Sequence, residues 1–179
     1  IFGDKIEARA AMEAAGLPTA KGSSEPIASA DVASALADEI GYPVIIKAAA
    51  GGGGIGMQIV EQADQFESAL KLCQSRAKSA FGDERVFVEK YIQGAQHVEF
   101  QVLADGKNAI HFGERFCSIQ RRHQKLVEEG PWLTDEKRAE IGALVCKGAE
   151  SVGYKGLATF EFHRDANGDF YFQIGRAHV

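Results

Sequence analysis

Lys47 closes the β-branched run Tyr42-Pro43-Val44-Ile45-Ile46-Lys47, and small residues then lead into Gly51, Gly52, Gly53 and Gly54, followed by Ile55, Gly56 and Met57. Successive glycines let backbone N–H groups converge on an anion and let phosphate oxygens approach closely, while a lysine at a strand end adds a point charge. The segment lacks the Gly-Lys-Ser/Thr ending of a P-loop and no helix pattern follows it directly, so neither that chemistry nor a dinucleotide fingerprint fits. A phosphate cradle and a flexible hairpin tip with a solvated lysine are the two readings of these residues.

Other polar groups stand within apolar runs. Glu89 and Lys90 are adjacent in Phe87-Val88-Glu89-Lys90-Tyr91-Ile92, so they face opposite sides of a strand. An edge strand kept soluble by charge is the competing reading. His97, Glu99 and Gln101 alternate with Val98, Phe100 and Val102, placing three polar groups on one face. Glu161 lies between Phe160 and Phe162, beside Thr159 and His163 on its own face. A mid-strand carboxylate is exposed or holds a cation, and phosphate-bound Mg²⁺ is commonly held through one or two carboxylates. The basic run Arg121-Arg122-His123-Gln124-Lys125 reads as a solvated loop, a nucleic-acid contact or a small-anion site. Basic neighbours could lower the Cys117 thiol pKa, although a buried inert thiol is the simpler reading. His111 and His178 receive no role.

The elements that must position these groups follow from caps and period. A helix is expected over Asp4 to Ala15, stopped by Gly16. A second starts at the cap Ser29 and carries Val32, Leu36 and Ile40 as its apolar stripe, ending at Gly41. Phe66, Ala69, Leu70, Cys73 and Ala77 form the face of a third. Thr134 caps a fourth that buries Ile141, Leu144, Val145, Gly148 and Val152. Strands are expected at 42–47, 57–60, 86–91, 97–103, 108–116, 157–163 and 170–173, with Asp105-Gly106 and Asn167-Gly168 as turns. Without regular βαβ alternation, the class is α+β.

Composition excludes several function classes. The 179 residues are 45% hydrophobic and 25% charged, which excludes wholesale disorder and collagen-like chains. A formal net charge of −5 argues against a nucleic-acid-coating surface. The 3 cysteines are widely spaced and match neither a disulfide framework nor a zinc pattern, which points to a reducing compartment. No apolar run approaches the ~20 residues of a membrane span. A cytoplasmic location is expected, or the mitochondrial matrix in a eukaryote, with no membrane or nucleic-acid partner. Ile1 and the abrupt helical start suggest a cut from something longer.

Taken in order, these segments resemble the ATP-grasp domain of biotin carboxylase, the ATP-using part of biotin-dependent acyl-CoA and pyruvate carboxylases. The likeness runs from Gly3-Asp4-Lys5 through the 41–48 strand, the glycine loop, Glu89-Lys90-Tyr91, His97-Val98-Glu99 and Thr159-Phe160-Glu161-Phe162. Carbamoyl-phosphate synthetase shares the lysine strand and glycine loop. The run Cys117-Ser118-Ile119-Gln120-Arg121-Arg122-His123-Gln124-Lys125 is more particular to biotin carboxylases.

The resemblance implies a fold of two lobes enclosing a nucleotide cleft: a partial ATP-grasp domain over 1–173 with a lid over about 42–92. It implies an ATP-dependent ligase that converts bicarbonate to carboxyphosphate and carboxylates protein-linked biotin. Lys5, Lys47, Gly51, Gly52, Gly53, Gly54, Gly56 and Met57 would hold phosphates, and Glu89, Lys90, Ile92, His97 and Gln120 the rest of ATP. Glu161 would hold Mg²⁺ or Mn²⁺, and Lys125, Arg122 and His123 would serve catalysis near bicarbonate. A biotin carboxyl carrier, a carboxyltransferase and a second copy of the enzyme are the implied partners. A carbamoyl-phosphate-synthetase-like ligase and a non-catalytic nucleic-acid binder are the alternatives.

Departures from the resembled pattern are few. Ile55 stands where Arg or Lys is usual, Phe116 where Asp is usual, and Gly130 where Ala is usual. After Gln173 the expected Glu-Met-Asn-x-Arg is replaced by Ile174-Gly175-Arg176-Ala177-His178-Val179, read as a non-native tail. That change removes a second metal carboxylate and the base, which implies that the chain alone is inactive.

Overall fold

The computed structural model describes residues 4–27, 29–50, 55–121 and 124–178. Helices are α1 (Lys5–Ala14), α2 (Ala30–Ile40), α3 (Phe66–Phe81) and α4 (Asp135–Ser151). Strands are β1 (Val44–Ala48), β2 (Met57–Val60), β3 (Val86–Lys90), β4 (Gln96–Asp105), β5 (Ala109–Arg121), β6 (Gln124–Glu129), β7 (Lys155–Arg164) and β8 (Phe170–His178). Every ladder between these strands is antiparallel, as the α+β class requires. No described helix is long and apolar enough to cross a membrane.

The chain divides into two compact units, one built mainly from Ala20–Tyr91 and the other from Glu7–Thr19 and Ile92 onward. The first unit takes in α2. Its sheet has the order β2-β1-β3. Val44 and Ile46 of β1, with Val60, Val86 and Val88, pack against Phe66, Ala69, Leu70 and Cys73 of α3. The α3 stripe is the one its spacing predicts. In α2 the buried pair is Ala33 and Ala37, while Val32 is 58% exposed. Ile40 of the expected stripe packs against this core, but Ala33 and Ala37 take the buried positions expected of Val32 and Leu36, because small side chains let the helix lie close to the sheet. Ser29 accepts the Val32 N–H as N-cap, and Gly41 follows the last turn.

The edge of β3 is not solvated, contrary to the edge-strand reading. Backbone N–H groups of Ser23 and Ile27 donate to the Val88 and Val86 carbonyls, and Lys90 N–H donates to the Lys21 carbonyl, so residues 21–27 cover the edge.

The second unit is a sheet in the order β6-β5-β4-β7-β8. Val98, Phe100, Val102, Phe160, Phe162 and Phe172 form its core with Met12 of α1 and Ile141, Val145 and Ala149 of α4. The 117–129 segment, where no strand was expected, extends β5 and adds β6 as a long hairpin. The tail read as non-native continues β8 in its backbone, with Ile174 opposite Glu161 and His178 opposite Leu157.

One buried acid ties α4 to this sheet. Glu114 of β5 accepts the N–H groups of Trp132 and Leu133 at 2.7 Å each and the Arg138 Nε at 2.7 Å. Burial alone would raise its carboxyl, but the Arg138 and backbone donors outweigh that and hold it at about 2 rather than 4.5. A depressed carboxylate stabilises the fold above its unfolded pKa and loses that contribution as pH falls through the folded one. Urea unfolding between pH 7 and 2 should therefore show about 3 kcal/mol of stability lost through this group below pH 4.5, with most of that slope absent in Glu114→Gln. An identical pH slope in the variant would refute the assignment.

Candidate functional site

Two clusters of charged side chains occupy sheet faces turned away from the helical cores. The first lies in the three-stranded unit. Alternation along β1 sends Val44 and Ile46 to the core and Ile45 and Lys47 to the other face, where Lys47 is level with Phe87 and Met57. Glu89, level with Ile45, lies diagonal to it, and the two buried side chains form an ion pair. Lys5, at the start of α1, donates from Nζ to the Ala48 carbonyl at 2.9 Å, and its backbone N–H donates to the Ala49 carbonyl at 3.2 Å. Burial, then the neighbouring Lys47 charge, lowers the Lys5 ammonium from 10.5 to about 8, with Glu89 and Asp4 opposing.

Two lysines are thereby gathered at the strand end that leads into Gly51, Gly52, Gly53 and Gly54, which lie outside the described residues. Gly56 returns the chain at φ 73°, and its carbonyl accepts the Ala48 N–H at 3.0 Å. A Cβ on Gly56 would come 3.0 Å from that of Ala48 in a conformation L-residues rarely adopt. Lys90 points elsewhere: its ammonium donates to the carbonyls of Gly41 at 2.9 Å and Tyr42 at 3.1 Å. Ile92 is half-buried just beyond β3.

The second cluster is on the five-stranded sheet. Glu99 of β4 faces Glu161 of β7 on one side and Arg115 of β5 on the other. Its side chain is 1% exposed. Lys125 of β6 pairs with Glu99 and lies 3.7 Å from Glu161. The His97 Nε2 is 3.2 Å from Glu99 and 3.8 Å from Glu161. Arg115 donates to Glu99 at 2.8 Å, and its other amino group pairs with Glu128. The expected residues His97, Lys125 and Glu161 thus meet. Gln120 is opposite Lys125, but its amide donates to the Cys117 carbonyl at 2.8 Å. Arg122 and His123 lie outside the described residues.

Glu99, Arg115 and Glu128 are the members that sequence reasoning left without a role. The β4 alternation alone places Glu99 on the polar face of the strand. Cross-strand register, not visible along one strand, is what buries it. Cys117 is buried, and burial first, then Glu128, pushes its thiol up to about 11, so it is not an activated nucleophile.

The ligand atoms of His97, Glu99 and Glu161 lie within 4.8 Å of one another. The two carboxylates suit a divalent cation such as Mg²⁺ or Mn²⁺, and the imidazole adds a nitrogen ligand that favours an ion softer than Mg²⁺. The lysine cluster in the other unit suits an anion of high charge density.

Residues 4–174 match the family of the carbamoyl-phosphate synthase L chain, ATP binding domain. The chloroplastic biotin carboxylase 1 of Populus trichocarpa is 50% identical over 175 residues, covering 96% of this chain and 33% of that protein. The chain therefore spans about a third of the length of such relatives. Among solved structures, the Campylobacter jejuni biotin carboxylase–βγ-ATP complex superposes with a TM-score of 0.96 at 48% identity, covering 99% of this chain and 41% of that one. The biotin carboxylase domain of Hydrogenobacter thermophilus 2-oxoglutarate carboxylase, solved with MgADP, ADP and bicarbonate, gives 0.95 at 43% identity, covering 99% and 40%. The fold is accordingly ATP-grasp.

Lys5 offers a direct check on the lysine cluster. Its reaction with acetic anhydride, followed by mass spectrometry across pH, should report an amine titrating near 8. Lys47→Met should move that midpoint up, and Glu89→Gln should move it down. A midpoint unmoved by Lys47→Met would disprove the coupling.

Proposed function

The chain belongs to the carbamoyl-phosphate synthase L chain ATP-binding domain family, and on that footing we propose that it is the ATP-using part of a biotin carboxylase. The reaction is ATP-dependent carboxylation of biotin by bicarbonate. The observation that carries the reading is the meeting of Lys125 with Glu99, Glu161 and His97 on one sheet face. Lys125 ends the Cys117–Lys125 run that resembles biotin carboxylases more than carbamoyl-phosphate synthetases. Relatives named biotin carboxylase at about 50% identity support the same choice.

In this reading Lys5 and Lys47 bind the ATP phosphates, with the backbone N–H groups of 51–54 and 56. Their ammonium groups offset charge on the phosphoryl group as a bicarbonate oxygen attacks the γ-phosphorus and ADP departs. The carboxyphosphate so formed gives its carboxyl group to a biotin ureido nitrogen as its C–O bond to phosphate breaks, and the ureido proton leaves with the phosphate. Positioning and electrostatics carry most of such a rate. Lys5, held near 8, is partly neutral at physiological pH, and phosphate binding favours its charged form. Glu161 would hold Mg²⁺, which when bound offsets phosphate charge. Lys125 faces the carboxylates from β6, and Arg122 and His123 belong to the same run. Glu89, Lys90, Ile92, His97 and Gln120 are assigned to the remainder of the nucleotide, a role for which the Lys90 ammonium and the Gln120 amide would have to leave the backbone carbonyls they now engage. The biotin carrier and carboxyltransferase are separate partners, and the complete enzyme is an oligomer.

Calorimetric titration of MgATP into the chain tests this reading. Lys47→Met and Glu161→Gln are each expected to weaken binding at least about tenfold, the effect of losing one charge-assisted contact. Unchanged affinity in both variants would refute the assigned roles. In a complete enzyme carrying this domain, ADP release should depend on biotin; dependence on ammonia instead would favour carbamoyl-phosphate-type chemistry.

A further inference from the structure

Glu161 has one neighbour at the same level on each side of β7: Ile174 on β8 and Glu99 on β4. Isoleucine offers no ligand atom, so of the two residues level with Glu161 among the described strands only Glu99 on β4 can bring a second carboxylate to a cation there. Glu99 supplies it, and His97, two residues away on the same strand, adds an imidazole within 4.8 Å of both carboxylates. Those same carboxylates are engaged by Lys125, whose ammonium pairs with Glu99 and lies 3.7 Å from the Oε1 of Glu161. Arg115 does not compete for that position. It takes the other oxygen of Glu99 at 2.8 Å and is itself shared with Glu128.

We propose that Lys125 is a tethered stand-in for a divalent cation held by Glu99, Glu161 and His97, so that cation binding and the Lys125–Glu99 pair exclude one another. The charges support an exchange. Among the described residues, three carboxylates (Glu99, Glu161 and Glu128) face two permanent cations, Lys125 and Arg115, which leaves one net negative charge when His97 is neutral. A divalent ion in place of the ammonium brings the cluster to neutrality. Lys125 is also the member best able to leave. Its side chain is 19% exposed, it sits on the edge strand β6, and its four-carbon stem can swing without moving the backbone. The released ammonium then faces any anion that accompanies the cation, which makes cation loading and delivery of Lys125 a single event. The identity of that anion rests on the nucleotide reading above; the exchange itself concerns the cation alone.

The test uses Mn²⁺ alone, without nucleotide, with the free ion followed by electron paramagnetic resonance. Lys125→Met is expected to bind Mn²⁺ at least about tenfold more tightly than the unaltered chain, since a competing charge a few ångströms away is removed. Lys125→Arg, which keeps the charge, should bind it no more tightly than the unaltered chain. Adding Glu99→Gln to Lys125→Met should abolish the gain. Equal affinity in Lys125→Met and the unaltered chain overturns the proposal, as does a gain that survives Glu99→Gln. Should Lys125→Met fail to fold, the unaltered chain decides. Reductive methylation of Lys125, read by mass spectrometry, should accelerate at saturating Mg²⁺, and an unchanged rate overturns the exchange. Loss of MgATP binding alongside a normal Mn²⁺ result counts against the nucleotide reading alone.

Discussion

A carboxylate with 1% of its side chain exposed cannot stay ionised without partners, and Glu99 sets that condition for the five-stranded unit. Its counter-charges come from different strands, Arg115 from β5 and Lys125 from β6, and the His97 imidazole of β4 lies beside them. Their meeting therefore requires the sheet order β6-β5-β4 and the register that sets Glu99 level with Arg115. A slip of one residue along β4 would exchange Glu99 with a core position such as Val98 or Phe100 and leave the charge among the phenylalanines. The apolar core on one face and the charged cluster on the other thus specify the same register.

The three-stranded unit uses the same device at smaller scale. Lys47 and Glu89 are both buried and paired on the face opposite the α3 core. Burying such a pair is weak evidence for stability, because desolvation offsets most of the attraction. In the nucleotide reading proposed above, the pair serves a ligand instead. Lys47 already has Glu89 to balance its charge, and Lys5 beside it is partly discharged by burial and by Lys47. The arrangement keeps cations positioned in a partly dry site, which is what electrostatic recognition of a polyphosphate needs.

Much of this was legible along the chain wherever the signal is local. The α3 stripe, the caps at Ser29 and Thr134 and the Asp105-Gly106 turn each depend on residues a few positions apart. The α2 stripe was misplaced because Ala33 and Ala37 carry little hydrophobic signal, yet their size is what permits close packing. The β5–β6 hairpin was missed because its charged residues, exposed in a loop reading, are partly satisfied across the sheet: Arg115 by Glu99 and Glu128, and Lys125 by Glu99. Glu114 was passed over for a similar reason. A single acid in a strand gives no hint that two backbone N–H groups and an arginine from α4 converge on it.

The departures from the resembled pattern make physical sense in pairs. Phe116 stacks on Trp132 with ring centroids 4.6 Å apart, and the Arg164 guanidinium lies over the Trp132 ring at 5.4 Å from its centroid. An aspartate at 116 would have no such stacking partner. The stack draws the 130–133 segment against β5, and Gly130 lets it close: a Cβ there would come 2.6 Å from the Glu114 carbonyl oxygen. Trp132 and Leu133 then present their N–H groups to Glu114. Of the remaining departures, Ile55 takes a cation from the glycine loop, and Ile174, the first residue of the divergent tail, takes an anion from the strand position level with Glu161. The loss beside Glu161 falls at a position whose opposite neighbour, Glu99, is already a carboxylate.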